Sequence, residues 1–273
     1  MVHCRQHHGF MNQYDVVIRL GEPRYWVLLS ASFAAGWALL RRFKTLDLDR
    51  KDRALKQVGW VLIALQVAYQ VYMLSAPGFE WTVHRCLPLH FCGINIWLVA
   101  LNCFWRHRTV YLFTAFMGTI GGFHAILTPQ LTVGDALPIL IHYYINHAAL
   151  VFVPILMTQS FDMRFPKWGW IKAYGIAAVL STVMAGVNAG LNTWFPGDAL
   201  ANYMYMTEPP KVDNPFVFHD LAWPWYVLPL HAALILHLLV LNALYRWRLP
   251  AQGEDAVPLV PDDTAQTRLP LWQ

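Results

Sequence analysis

Two histidines and one thiol carry the reactive chemistry of this chain. His90 and Cys92 open the apolar stretch LPLHFCGINIWLVAL (87–101), and His147 lies in HYYINHAALVFVP (142–154). A thiol, an imidazole to take its proton and amides such as Asn146 or Asn202 to hold an oxyanion are the parts that acyl transfer requires. The base must come within hydrogen-bond reach of the nucleophile. His90 and Cys92 are two residues apart, which on a helix is about 200° around the axis. Pairing of Cys92 with His147 from another segment is geometrically freer. A thiol in an apolar helix can equally be a small core residue.

Further polar side chains fall in the same apolar segments and in the loop 195–226. Asn95, His124, Tyr143, Asn146, Asn202, Tyr203, Trp225 and His231 are candidate substrate-binding residues. His142 with Asn146, and Tyr143 with His147, have the i, i+4 spacing that places each pair on one helix face. The spacings of His90, His142, His147, His231 and the four cysteines fit no zinc signature. No metal or other cofactor is therefore expected. A Cys86–Cys92 bridge would need Pro88 to break the helix, and the N-terminal VHCRQHH is a short tract that chance explains.

The elements that position these residues follow from composition. The chain is 57% hydrophobic and 13% charged, with 13 Trp, 12 Tyr and 15 Phe, against about a quarter charged in soluble domains. Lipid as solvent accounts for this. Seven apolar runs approach the ~20 residues a spanning helix needs: 25–40, 58–74, 87–105, 110–127, 137–158, 171–191 and 223–245. The expected fold is all-α, a polytopic membrane bundle of about seven helices. Its helical domain covers 21–248, between an N-terminal tail (1–20) and a disordered cytoplasmic tail (249–273) rich in polar residues and proline. No apolar core precedes Tyr25, so the first span is expected to act as its own insertion signal.

Basic residues set the orientation. Of 20 Lys and Arg, 15 fall on the segments facing one side, seven of them between the first two spans. The other side has Arg5, Arg19, Arg24, Arg85 and Lys211. The topology is N-out and C-in, and the positive charge needs no nucleic-acid partner. With that topology His90, Cys92, Asn95, His124, His142, Asn146, His147, Asn188, Asn192 and His231 fall in the outer leaflet half, while the inner halves carry little beyond Asn102 and Asn242. Intramembrane polar groups usually face the bundle interior or a wet cavity, which points to an outer polar cavity. The loop 195–226 covers the same face, and WPWY (223–226) sits where an aromatic belt belongs.

LPLHFC (87–92), GTIGGFHAILTPQL (118–131), HYYINHAALVFVP (142–154), NYMY (202–205) and WPWY (223–226) occur in this order. The ordered set, over roughly residues 20–248, resembles the YwaF-like family of bacterial integral membrane proteins. It is also similar to the eukaryotic transmembrane protein 164 family. That resemblance implies acyl transfer between phospholipids, with a cysteine directly before a helix-start histidine. The histidine matches His90, the Tyr-Tyr-Ile-x-His segment matches Tyr143, Tyr144, Ile145 and His147, and Asn-x-Met matches Asn202 and Met204. Leu89 occupies the cysteine position, and Cys92 lies two residues beyond the histidine.

Two functions stay open at this point. One is an acyl-chain transferase or hydrolase in the cell (inner) membrane, with Cys92 as nucleophile, His90 or His147 as base and membrane lipids as partners. The other is a non-catalytic transporter or a lipid- or small-molecule-binding membrane protein.

Overall fold

Apolar runs bounded by charges and prolines become helices. The computed structural model describes residues 16–76, 79–197, 199–211 and 216–248. Seven helices run through them: α1 (Pro23–Lys44), α2 (Leu48–Ser75), α3 (Phe91–Trp105), α4 (Arg108–Leu127), α5 (Leu137–Phe161), α6 (Gly169–Trp194) and α7 (Val227–Arg248). A two-residue strand, Val16–Val17, pairs antiparallel with Gln130–Leu131. Helices α2, α4, α5, α6 and α7 are long and apolar enough to cross a membrane. Helix α3 has 15 residues, and α1 carries Arg24 at its start and Arg41, Arg42 and Lys44 in its last turn. The N-terminal VHCRQHH and the tail after Pro250 lie outside the described residues.

Several helix ends differ from the hydropathy reading, each for a local reason. Helix α2 begins ten residues before the apolar run. Its charged first turns are helix-compatible: Asp47 caps the helix by accepting from the Arg50 backbone N–H at 2.8 Å, and Asp52 bridges Lys56 at 2.7 Å and also Arg106. Helix α3 begins at Phe91, not Leu87. His90 is its N-cap in extended conformation, with ψ 156°. Helix α4 contains one π-helical turn, Thr114–Gly118. Helix α7 begins at Val227, four residues after Trp223. The cis Trp223–Pro224 bond lies in the turn before it, where Pro224 and Trp225 carbonyls accept from the Val227 and Leu228 N–H groups.

Helix α5 is the centre of the bundle. Helices α1, α2, α3 and α4 all pack on it, and it buries Tyr144, Asn146, His147, Leu150, Val153 and Leu156 among others. Helix α6 packs on α4 and on α7. Helices α1 and α2 lean on α5 more than on each other, which leaves a groove between them.

Close approach to α5 depends on small residues. A Cβ at Gly122 would stand 2.7 Å from the His147 carbonyl oxygen, and one at Gly36 would enter the Phe152 ring. Gly175, on the exposed side of α6, has nothing within 4 Å. Gly122→Ala should therefore lower the thermal midpoint, by the ~1–3 kcal/mol typical of overpacking. Gly175→Ala should be neutral or stabilising by up to about 1 kcal/mol, because alanine is the better helix former. Thermal melts of both purified variants check this; equal melting would refute the close-packing account.

Candidate functional site: the His90–Cys92–Tyr143–His147 corner

The extended backbone at His90 matters chemically. The 200° separation from Cys92 holds only if both residues are helical, and His90 is not. Its Nδ1 lies 3.3 Å from the Met204 backbone nitrogen. A backbone N–H can only donate, so Nδ1 accepts and the proton sits on Nε2. The ring stands between Tyr203 and Tyr205, with centroids at 5.3 and 5.4 Å. His90 thus joins the start of α3 to the loop between α6 and α7.

That loop is firmly tied. Asn188 of α6 donates to the Tyr203 carbonyl at 2.9 Å and accepts from the Tyr203 N–H at 3.0 Å. Asn192 makes the same two-way pairing with Ala201, at 3.1 and 2.7 Å. The Tyr203 hydroxyl donates to the Val83 carbonyl at 2.7 Å and accepts from the Leu87 N–H at 3.1 Å. Burial pushes the Tyr203 phenol up, which keeps it a neutral donor, and burial likewise raises the nearby Cys86 thiol. Asn202 accepts from the Thr207 and Glu208 N–H groups, both at 3.0 Å, and donates to the Glu208 carbonyl. Its amide shapes the loop. Trp225 is exposed, while its neighbour Tyr226 is buried and donates to the Tyr205 carbonyl at 2.8 Å.

Cys92 sits in the first turn of α3 as a half-buried free thiol, and Cys86 and Cys103 are free as well. Its sulfur faces Gly121 of α4, at 3.4 Å from where a Cβ would be. Gly121 and Ala125 lie one turn apart on the same face of α4, so the Cys92 sulfur and the Tyr143 hydroxyl, which meets the Ala125 carbonyl, meet neighbouring positions of that helix. Tyr143 donates to the Ala125 carbonyl of α4 at 2.9 Å and packs on His147 with centroids 4.1 Å apart. His147 is buried, and its Nδ1 lies 2.7 Å from the Tyr143 carbonyl oxygen. A carbonyl only accepts, so Nδ1 carries the proton and Nε2 keeps a lone pair. His90, Cys92, Tyr143 and His147 therefore share one corner between α3, α4, α5 and the α6–α7 loop. Among the described residues, no hydrogen bond joins Cys92 to an imidazole.

Other polar residues pair off elsewhere. On another face of α5, about 100° around the axis, the Asn146 amide donates to His142 Nε2 at 2.9 Å and accepts from the Gln66 amide of α2 at 2.7 Å. Tyr69 stacks on His142 at 3.6 Å. His124 Nε2 meets His237 Nε2 at 2.9 Å; His237 Nδ1 donates to the Ala233 carbonyl, so His124 is the donor. The His231 Nδ1 meets the Tyr174 hydroxyl at 3.2 Å. Tyr174 is 14 residues, or ~21 Å along a helix, from the Asn188 that anchors the loop, so His231 stands apart from His90. Asn95 donates to the Phe91 carbonyl at 2.8 Å, and its buried oxygen, without a protein partner, faces the π-helical turn near Gly118. Among the described residues, no three His, Cys, Asp or Glu side chains gather as a metal site.

Gln66 and Tyr69 complete the His142–Asn146 cluster without belonging to the sequence-derived candidates, although a glutamine inside the apolar run of α2 is itself a signal. A further polar cluster lies at the far end of the bundle, among residues that the hydropathy pattern does not mark. There Tyr111 and Tyr245 both donate to the Met163 carbonyl, at 2.9 and 3.0 Å, and Tyr111 meets Thr158 at 2.6 Å. Hydroxyls on otherwise apolar residues do not register as polar in a hydropathy window.

A family model described as the TMEM164 family matches residues 20–242, a span that takes in α1 to α6 and most of α7. The chain belongs to the TMEM164 family. No curated protein and no solved structure matches it. Its five long apolar helices agree with the family in making this TMEM164-family member a multi-pass membrane protein whose helices contact lipid.

Loss of the Asn188 amide would leave the buried Tyr203 N–H and C=O without partners, at ~1–3 kcal/mol each. Asn188→Ala should therefore release the loop 195–226, seen as faster protease cleavage there in proteoliposomes. Cleavage at the wild-type rate would show that the amide is not the anchor.

Proposed function

We propose that this TMEM164-family protein is a membrane enzyme that transfers or hydrolyses lipid acyl chains at the His90–Cys92–Tyr143–His147 corner. The observation that supports this most is the tautomer of His147. With Nδ1–H committed to the Tyr143 carbonyl, the Nε2 lone pair is the free basic site beside a corner that also holds Cys92. In this reading Nε2 takes the thiol proton and the sulfur attacks the ester carbonyl carbon. The lyso-lipid oxygen leaves with that proton, and the resulting thioester passes its acyl group to a second hydroxyl or to water. Asn95, whose amide gives one hydrogen to the Phe91 carbonyl, would offer the other to an oxyanion, while Asn146, held by His142 and Gln66, would act on the substrate only through that pairing; Tyr143, Tyr203 and Tyr205 would border the substrate. His124, Asn202, Trp225 and His231 would act further out, along the lipid path or in its covering loop.

The wider setting is part of the same proposal. Seven spans, N-out and C-in, would place this corner in the outer leaflet half of the cell membrane, with α1 and the short α3 spanning as well. The bacterial YwaF-like branch is the proposed affiliation within the family. Cys92 would stand in for the family cysteine, whose place Leu89 holds. A non-catalytic transporter or lipid binder is the second reading, and one observation favours it: among the described residues, the Cys92 thiol has no hydrogen bond to a histidine.

Purified protein in proteoliposomes should exchange or release labelled acyl chains, followed by lipid mass spectrometry. Cys92→Ala and His147→Ala should each lower turnover by at least ~100-fold, the lower range for a lost acid–base partner. Turnover unchanged in both variants would remove the enzyme reading. Solute flux into liposomes that persists in both would support the second.

A further inference from the structure

A second feature lies on the far side of α5 from Cys92. Between α1, α2 and α5 runs a groove of about 890 Å³. Ala35 and Leu39 of α1 and Val58 and Val61 of α2 form its walls, and Ala148 and Phe152 of α5 form its floor. At one end, around the α1–α2 turn, the lining changes to Arg42, Arg50 and Arg53. All three are exposed. Arg50 pairs with Asp47 at 3.1 Å, and among the described residues neither Arg42 nor Arg53 has an ion-pair partner.

The dimensions select the occupant. From Leu28 to Arg42 the groove follows 14 residues of α1, or ~21 Å. One leaflet with its headgroup layer is about 20–22 Å, half of the full bilayer thickness. The walls along this length are mostly apolar, which suits a hydrocarbon chain. Long apolar walls that end in three cations at headgroup depth match a lipid whose polar end is anionic.

We propose that the groove binds an anionic phospholipid, its acyl chain between α1 and α2 and its phosphate among Arg42, Arg50 and Arg53. The site shares no residue with the Cys92 corner, because Tyr144 and Ala148 face it while Tyr143 and His147 face away. It stands whether or not that corner is catalytic. The bound chain fills the gap that α1 and α2 leave, and so holds α1 against the bundle.

Native mass spectrometry of the full chain, offered equimolar phosphatidylglycerol and phosphatidylcholine in mixed micelles, tests this. The wild type should retain one phosphatidylglycerol in preference. Arg42→Gln/Arg50→Gln/Arg53→Gln should lower that preference by roughly tenfold or more, given the strength of a cation near an anionic headgroup. Arg41→Gln/Lys44→Gln, which removes cations beside the groove but not in it, should leave the preference within about twofold. Ala148→Trp, filling the floor, should prevent retention of either lipid while circular dichroism shows wild-type helicity. The proposal is overturned by equal retention of the two lipids in wild type, by an unchanged preference in the triple variant, by displacement of the lipid with millimolar inorganic phosphate, or by a dimer that excludes lipid from this face.

Discussion

Hydrocarbon offers no hydrogen bonds, so an imidazole, amide or hydroxyl inside this bundle is costly unless the protein supplies its partner. That constraint organises α5. Its spacing produces three faces within two turns: Tyr143 and His147 toward α4, His142 and Asn146 toward α2, and Tyr144 and Ala148 toward the groove. Each face meets its need differently. His147 uses the carbonyl one turn back, and Asn146 and His142 use Gln66. On the groove face the buried Tyr144 hydroxyl has no partner among the described residues. Because an imidazole that is bound to a carbonyl must be protonated at that nitrogen, the packing decision is also a chemical one: it sets which nitrogen is free.

The His90 corner is assembled by backbone as much as by side chains. His90 has no helical neighbour to pair with and takes a backbone N–H from the loop instead. Asn188 and Asn192 do the work of a strand partner for residues 201–203, offering one donor and one acceptor each. Tyr203 then reaches across to Val83 and Leu87. A long loop held at so many points behaves as part of the bundle wall. The geometry of the corner accordingly depends on residues far away in sequence.

The two ends of the molecule differ in chemistry. One end collects imidazoles, amides and the thiol beneath a tied loop. The other collects arginines around the α1–α2 turn, together with the Asp52–Arg106 pair and the Tyr111–Thr158–Tyr245 hydroxyls. Cations at a headgroup layer and neutral polar groups within the apolar span are the two arrangements that cost least in a bilayer.

Much of the architecture was legible in order along the chain. Apolar length identifies all seven helices and most of their ends to within a few residues, and i, i+4 spacing, which follows from the helical repeat alone, assigns His142 with Asn146 and Tyr143 with His147 to separate faces. The starts of α2, α3 and α7 were not legible. Hydropathy measures affinity for lipid, whereas the helix ends were decided by the Asp47 cap, by an extended His90 and by the turn around Pro224. The sequence by itself determined a membrane bundle and the residues able to do chemistry in it. Only the tertiary structure decided which of them meet: Cys92 beside Gly121 and Tyr143, His124 with His237, His231 with Tyr174 and away from His90. Contacts between helices depend on tilt, depth and the fit of residues such as Gly122, and no repeat within a single helix encodes those.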